Sequence, residues 1–586
     1  MLCRILSCHV MNTANFNLHK SMDASNILLW PTPKSFHVNG GSNTVARVFV
    51  QEALDPHRRD LEHAEAYRVA LQNEKAVLTA RTEDGLRCAR ATWAQLASYD
   101  QLPDLVIEDA PLFTHRGVML DISRDRVPTM ASLLCLVDQL ASWKINHIQL
   151  YVEHTLAYRG HEDAWRAASP LTLDELSELD RYGAERGVAL TANQNCLGHF
   201  ERWLRHPRYA PLGERDQGMV TQEGHYLAPN TLCATDPAAL DLIHDLISQQ
   251  WPCCSGAYAN IGCDEPYDLG LGRSREACEK RGKAAVFSDY VSAVASLSRK
   301  YGKRPQFWCD PQPNENQNLP EDLVALIWGY EAGQDFSSRA DAHRAAGREV
   351  WVAPGTSCWK STTGRTWNRR GNLDRAAREA DAPGFLCTVW GDQGHRQPWP
   401  VTLMGLADAA QAAWHGPGFY DNRAAGRYAF GDEALGDWLA ELGDVDAEIC
   451  RGETPLLDGS PSPGQQVWNQ TALWHDMNIP FLEREGVGDV DAWRMVKARL
   501  ESLRNRLPAS VDPVVKAECV YAVDTADWTA DRAIMRRLKS TREQRLDLSS
   551  RMAGIIAEHR RQWLLRARYG GLEDSAAHWV RLITHD

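Results

Sequence analysis

The sequence predicts an α/β protein built around a (β/α)8 barrel of the TIM type, with a small α+β domain before it and a mainly helical region after it. Three observations predict it. Short β-rich runs alternate with amphipathic helical stretches from His115 to about Gly426, a different strand-then-helix pattern precedes them, and the strand signal fades beyond them. The 586 residues leave room for several domains, and 44% hydrophobic with 24% charged residues is ordinary globular composition.

Residues 1–25 are expected to be a poorly ordered extension, interrupted by Arg4, His9, Asn12 and Asn15, with no clear signal peptide. An α+β domain is expected over 26–112, with strand-like runs at 27–30, 67–71 and 76–80, a helix over 86–99, and an exit through the proline-bearing run 102–111. The barrel is placed at 113–425. Its eight strand candidates are 117–122, 147–152, 188–193, 258–263, 305–309, 323–328, 349–353 and 385–389, with helices at 131–143, 173–186, 237–250 and 275–301 among them. A doubly wound open sheet is the structural alternative, since periodicity does not distinguish closed from open sheets. The region 426–586 reads as long helices, such as 491–504 and 542–568, after a loop at 455–464. Its arginines 536, 537, 560, 561, 566 and 568 form either a solvated face or a partner surface, and Gly570 to Asp574 either ends a helix or caps a pocket.

Composition excludes some functions. A net charge of −13 disfavours nucleic-acid binding, which needs concentrated basic surface. No run approaches the roughly 20 apolar residues of a membrane helix. Fifteen cysteines lie without zinc-type spacing and read as reduced thiols in a cytoplasmic setting, so no cofactor and no metal is expected. The 21 tryptophans suit both cores and sugar pockets.

A barrel carries its working residues past the carboxyl ends of its strands. Those ends supply Asp121 and Arg124; Glu153, His154 and Tyr158; Asn193, Asn195 and His199; Asp264 and Glu265; Trp308 and Asp310; Trp328 and Tyr330; Trp359; then Trp390 and Asp392. The adjacent carboxylates Asp264 and Glu265 are the sharpest feature. Two acids turned toward one mouth raise each other's proton affinity, leaving one able to donate a proton near neutrality.

The run Asn260-Ile-Gly-Cys-Asp264-Glu265 resembles the catalytic signature of glycoside hydrolase family 20, the β-N-acetylhexosaminidases, with Asn260 in place of the family's histidine and Cys263 in place of its glycine. His115-Arg-Gly-Val-Met-Leu-Asp-Ile-Ser-Arg124 resembles the family's first strand, and the approach from Pro103 to Phe113 its domain junction. The likeness spans about 26–399. It implies an exo-acting, retaining hydrolase that removes terminal β-linked N-acetylglucosamine or N-acetylgalactosamine, the substrate's own acetamide acting as nucleophile. Asp264 would orient that acetamide and Glu265 would serve as acid and base. Arg116 would grip sugar hydroxyls, His199 would stand near the acid, Trp308, Trp328, Tyr330, Trp359 and Trp390 would wall the pocket, and Asp392 would hold outer hydroxyls. Two departures mark a divergent branch. The stretch 353–359 lacks the family's seventh-strand tyrosine, for which Tyr330, Tyr267 or Ser357 are alternatives, and Asn193-Gln194-Asn195 replaces its third-strand acid. The expected partner is a small carbohydrate or glycan with a terminal N-acetylated amino sugar, with no nucleic acid and no membrane; the helical region is either a homodimer surface or a rim for the pocket. Two other readings stand beside this one. One is a carbohydrate-binding barrel without turnover, the other a metal-dependent barrel hydrolase using His154, His199, Asp264 and Asp392.

Overall fold

Strands covered on both faces can be apolar throughout, and most of the runs after His115 are predominantly apolar. In the computed structural model, which describes residues 26–124, 126–220, 226–310, 318–379, 381–451, 467–538 and 540–584, these runs close into a parallel barrel. Numbered after the five strands of the preceding sheet, they are β6 (His115–Asp121), β7 (His147–Tyr151), β8 (Ala189–Asn193), β9 (Tyr258–Asn260), β10 (Arg304–Cys309), β11 (Val324–Trp328), β12 (Val350–Ala353) and β13 (Gly384–Val389). Pairing of β13 with β6, Gly384 opposite His115 through Val389 opposite Leu120, completes the circle and rules out the open sheet.

β9 ends three residues earlier than its apolar run suggests. Gly262 and Cys263 take φ of 64° and 67°, and residues with positive φ leave a ladder. Below the mouth the interior is polar. Gln149 donates to Gln306 at 2.8 Å and accepts from Asn193 and Asn260 at 3.0 Å each, a plug of side-chain amides centred on Gln149. Lower still, the His115 ring stacks on Trp351 at 4.8 Å.

The preceding sheet has the order β1-β5-β3-β4-β2, from β1 (Ser35–Val38), β2 (Phe49–Leu54), β3 (Tyr67–Gln72), β4 (Lys75–Ala80) and β5 (Leu105–Asp109), and α1 (Glu83–Leu96) covers it. Two expectations fail here. Residues 27–30 are buried but form no strand, because Tyr99 and Gln95 side chains take the Leu28 and Trp30 amides at 2.8 and 2.7 Å. The proline-bearing run is not merely an exit: it contributes β5, paired with β3 and β1.

Around the barrel, α2 (Met130–Ser142) and α3 (Leu173–Ala184) begin at threonine caps, the second a full capping box of Thr172 and Glu175. α4 (Pro237–Gln250) starts on Asp236 with proline in its first turn. The long stretch expected at 275–301 is two helices, α5 (Arg275–Arg281) and α6 (Lys283–Lys300), separated by Gly282 at φ 86°. α7 (Ser337–Ala345), α8 (Thr366–Ala377) and α9 (Trp399–Trp414) follow β11, β12 and β13.

Beyond the barrel run α10 (Asn422–Phe430), α11 (Glu433–Leu442), α12 (Val490–Arg506), α13 (Pro513–Arg537), α14 (Arg542–Arg566) and α15 (Leu572–Thr584). The loop expected at 455–464 lies outside the described residues. Most of the arginines there serve the interior. Arg537 and Arg536 hold the buried Asp476 at 2.7 and 3.3 Å, and Arg568 reaches Glu175 of α3 at 2.7 Å, docking the helices on the barrel. Gly570 and Gly571 form the turn into α15. Among the described residues no helix is long and apolar enough to cross a membrane.

Arg116 stands at the amino end of β6, on the face of the barrel opposite the strand carboxyl ends, so it cannot grip a sugar there. Its guanidinium forks onto Glu65 at 2.6 and 2.7 Å and donates to the carbonyls of Phe113 and Lys144 at 2.7 and 2.8 Å. It joins the two domains, over the Trp414 ring at 5.0 Å. Removing one member of so buried a pair strands the other's charge. Arg116→Met is therefore expected to cost about 3 kcal/mol in denaturant unfolding, while KM for any sugar substrate stays at the wild-type value.

Candidate active site

The carboxyl ends of the strands surround a cavity of about 650 Å³. Its lining brings together Asp264, Glu265, Trp308, Trp328, Tyr330, Trp390 and Asp392 of the residues expected from sequence. Trp359 is not among them. It is 1% exposed and meets Tyr330 edge-on at 5.0 Å, so it backs the wall rather than forming it.

Asp264 and Glu265 reach the mouth through a left-handed turn. Gly262 is required there, since a Cβ would lie 2.5 Å from Asn195 Oδ1, and Glu265 itself has φ 48°. Asn195 holds the turn from both sides, accepting from the Cys263 amide at 3.1 Å and donating to Asp264 Oδ1 at 2.9 Å. The Glu265 amide donates to Asp310 Oδ2 at 2.8 Å. Opposite, Gly198 allows the His199 loop to close, because its Cβ would strike the Asp264 carbonyl at 2.3 Å.

His199 lies between three carboxylates. Nε2 is 3.3 Å from Asp264 and 3.5 Å from Glu265, and Nδ1 is 3.8 Å from Glu153. Burial disfavours an imidazolium, but the Asp264 charge, supported by Glu153, outweighs it and lifts His199 to about 9. Burial likewise opposes the Asp264 carboxylate, and His199 and Asn195 together hold its pKa below the usual value. Glu153 from β7's end thus stands beside the histidine where the third strand offers only amides, and it is fixed by Tyr151 Oη at 3.0 Å. Asp310 is pushed up to about 7 by burial and then by the Asp264 and Glu265 charges.

Arg124 supplies the cation that Arg116 does not. It lines the cavity, 3.3 Å from Asp121 and 3.5 Å from Glu153, with its guanidinium 4.7 Å over Tyr151 and 4.9 Å from the Trp390 ring. Position at a strand's carboxyl end was the signal that favoured it. Trp308 and Trp390 meet at 5.9 Å, Trp328 stacks on Tyr330 at 5.5 Å, and Trp390 Nε1 donates to Tyr330 Oη at 2.7 Å. Of the alternatives for the missing tyrosine, Tyr330 and Tyr267 line the cavity, whereas Ser357 is buried outside it against Asn368. Lys360 lies 3.4 Å from Asp392. Gly329, Glu331, Gln334, Arg339, Trp468 and Asn469 complete the lining. The last two come from the helical region, which therefore rims the pocket; no strand-end rule points to them.

His154 is buried and pushed down to about 3 by burial and by Arg202 and Arg205. It does not join His199, Asp264 and Asp392, and among the described residues no group of three or more His, Cys, Asp or Glu side chains is arranged to hold a metal ion.

Residues 113–374 match the model of glycosyl hydrolase family 20, catalytic domain. A β-hexosaminidase subunit B1 of Dictyostelium discoideum is 21% identical over 334 residues, 50% of this chain and 59% of that protein. A β-N-acetylhexosaminidase of Cellulomonas fimi is 24% identical over 345 residues, 55% and 63% of the two chains. The matches thus span less than two thirds of these relatives' length. Among solved structures, a Flavobacterium johnsoniae chitobiase shares the fold at TM-score 0.57 and 18% identity, over 95% of this chain and all of that one, helical region included. A β-N-acetylhexosaminidase crystal structure aligns at TM-score 0.56 and 18% identity over 69% of this chain and 96% of its own. The paired carboxylates at the end of β9 lie inside the stretch that matches the model of glycosyl hydrolase family 20, catalytic domain, and the barrel shares its fold with the two solved structures.

Proposed function

We propose that this protein is an exo-acting, retaining glycoside hydrolase that removes terminal β-linked N-acetylglucosamine or N-acetylgalactosamine by substrate-assisted catalysis. The observation that carries the reading is the arrangement of Asp264 and Glu265 side by side at a tryptophan-walled cavity, with one imidazole 3.3 and 3.5 Å from the two carboxylates.

Asp264, kept ionised by His199 and Asn195, orients the substrate acetamide and balances the positive charge that grows on it as its carbonyl oxygen attacks the anomeric carbon. Glu265 gives its proton to the departing glycosidic oxygen, then takes one from the water that opens the oxazolinium ring. No enzyme nucleophile is needed. Tyr330 is the acetamide's hydroxyl donor: its oxygen already accepts from Trp390, so its own proton is free, and burial keeps the phenol neutral by raising its pKa. Arg124 and Asp392 bind the ring's outer hydroxyls, and the indoles of Trp308, Trp328 and Trp390 exclude water from the charged intermediate.

Release of p-nitrophenol from its β-N-acetylglucosaminide and β-N-acetylgalactosaminide tests the reading. Glu265→Gln is expected to lower kcat/KM by about 10²- to 10⁴-fold and Asp264→Asn by about 10²- to 10³-fold, with a thiazoline analogue of the oxazolinium inhibiting the wild type. Saturable sugar binding with no turnover on these or on β-linked oligosaccharides would instead make it a binding barrel.

The His199 pair has a consequence for pH. Its folded pKa, about 9, lies above the free imidazole's ordinary ~6.5, so its stabilisation is complete below that value and is lost as pH rises through about 9. Thermal midpoints measured from pH 6 to 10 should fall across this window in the wild type and fall less in His199→Gln.

A further inference from the structure

Acidic residues outnumber basic ones, 77 to 64, yet two arginines at the seam between barrel and C-terminal helices have no acid to themselves. Arg126, in the loop after β6, and Arg396, in the loop after β13, line one small cavity that α13 and α14 close from the other side. Neither has a carboxylate within 4.0 Å among the described residues.

Arg396 is 1% exposed, its guanidinium 3.9 Å from the Trp474 ring and 4.6 Å from that of Trp579. Indoles engage the flat sides of a guanidinium, but the N–H groups around its edge still need acceptors. Nε has one, the Gln393 carbonyl at 3.2 Å, and no other described residue offers a second. Arg126 stands over the Trp563 ring at 5.3 Å and donates to no described residue. Glu518, the acid on the cavity lining, is already forked by Arg566 at 2.5 and 2.8 Å. His395 and His559, which also line it, are pushed down to about 4 and about 3, by burial first, so neither adds charge. Arginine keeps its proton in proteins, and burial therefore leaves two positive charges here to be balanced from outside the chain. The cavity, about 10 Å³, has room for about one water-sized particle, which excludes phosphate, sulfate and carboxylates. A water in that place accepts hydrogen bonds but offsets no charge.

We propose that this cavity is a chloride site, in which one monatomic anion sits between the Arg126 and Arg396 guanidiniums and fastens the C-terminal helices to the barrel. The site does not rest on the hydrolase reading. It reaches the candidate active site all the same, because the loop it clamps carries Trp390 and Asp392. In that loop the Gln397 side chain donates to the Trp390 carbonyl at 2.9 Å, and His395 Nε2 meets the Asp121 carbonyl at 2.9 Å.

Thermal midpoints of the full-length protein in sodium chloride and in sodium gluconate, at one ionic strength, test the site. The midpoint is expected to rise by about 2 °C or more as chloride replaces gluconate up to about 0.3 M, and to lose most of that response in Arg396→Gln and in Arg126→Gln. Midpoints that are alike in the two salts would overturn the proposal. Should the arginine variants not fold, the wild type decides: a crystal soaked in bromide is expected to show an anomalous peak between the two guanidiniums, and a cavity without that peak would overturn it equally.

Discussion

A carboxylate at the floor of a pocket walled by indoles has lost its water, and every other feature of the mouth follows from keeping Asp264 charged there. Burial alone would raise its pKa. The compensation is assembled from two strand ends: the Asn195 amide and the His199 imidazole after β8 and, behind the histidine, Glu153 after β7. Each partner has its own support, and the left-handed turn at 262–265 exists because only that backbone path brings two successive side chains to one place. Gly198 and Gly262 are the two points where any side chain would break the approach.

The same compensation separates the two acids. Asp264 is fastened on both sides, whereas Glu265, beside His199 and the Tyr267 hydroxyl, keeps a third of its side-chain surface open, at 33%. A group that must stay ionised is immobilised, and one that must exchange protons faces the solvent and the substrate. Asp310 sits under Glu265 as a third carboxyl whose proton affinity rises with its neighbours' charge, so the floor carries less negative charge at neutral pH than its residue types alone suggest.

All eight barrel strands were legible as apolar runs of strand length, because strands covered on both faces need nothing else. The reading erred where side chains did what backbone usually does. Residues 27–30 looked like a strand, but Gln95 and Tyr99 take their amides. In the site, adjacency in sequence marked Asp264 and Glu265, and strand-end position marked most of the wall. Arg116 was misplaced because a resemblance to a motif does not say which end of the strand its arginine occupies, whereas Arg124 stands at the right end. Glu153 in place of a third-strand acid, and Trp468 at the rim, were out of reach. Both depend on distances between elements 46 or more residues apart, and local pattern carries no such information.

Hydrogen bonds that pin the Asn469 amide to Glu331 and the Thr471 amide to the Lys360 carbonyl also bear on when the pocket comes into being. On the ribosome the chain emerges from its amino end, so the carboxylates after β9 are made some two hundred residues before Trp468. A nascent barrel thus has its acids and indole wall in place with its rim still unsynthesised. Its mouth is finished only when Trp468 and Asn469 arrive, and Arg568 latches onto Glu175 later still. A barrel whose segment around Trp468 has not yet docked would carry an open aromatic bowl, a surface that chaperones and proteases recognise as unfinished.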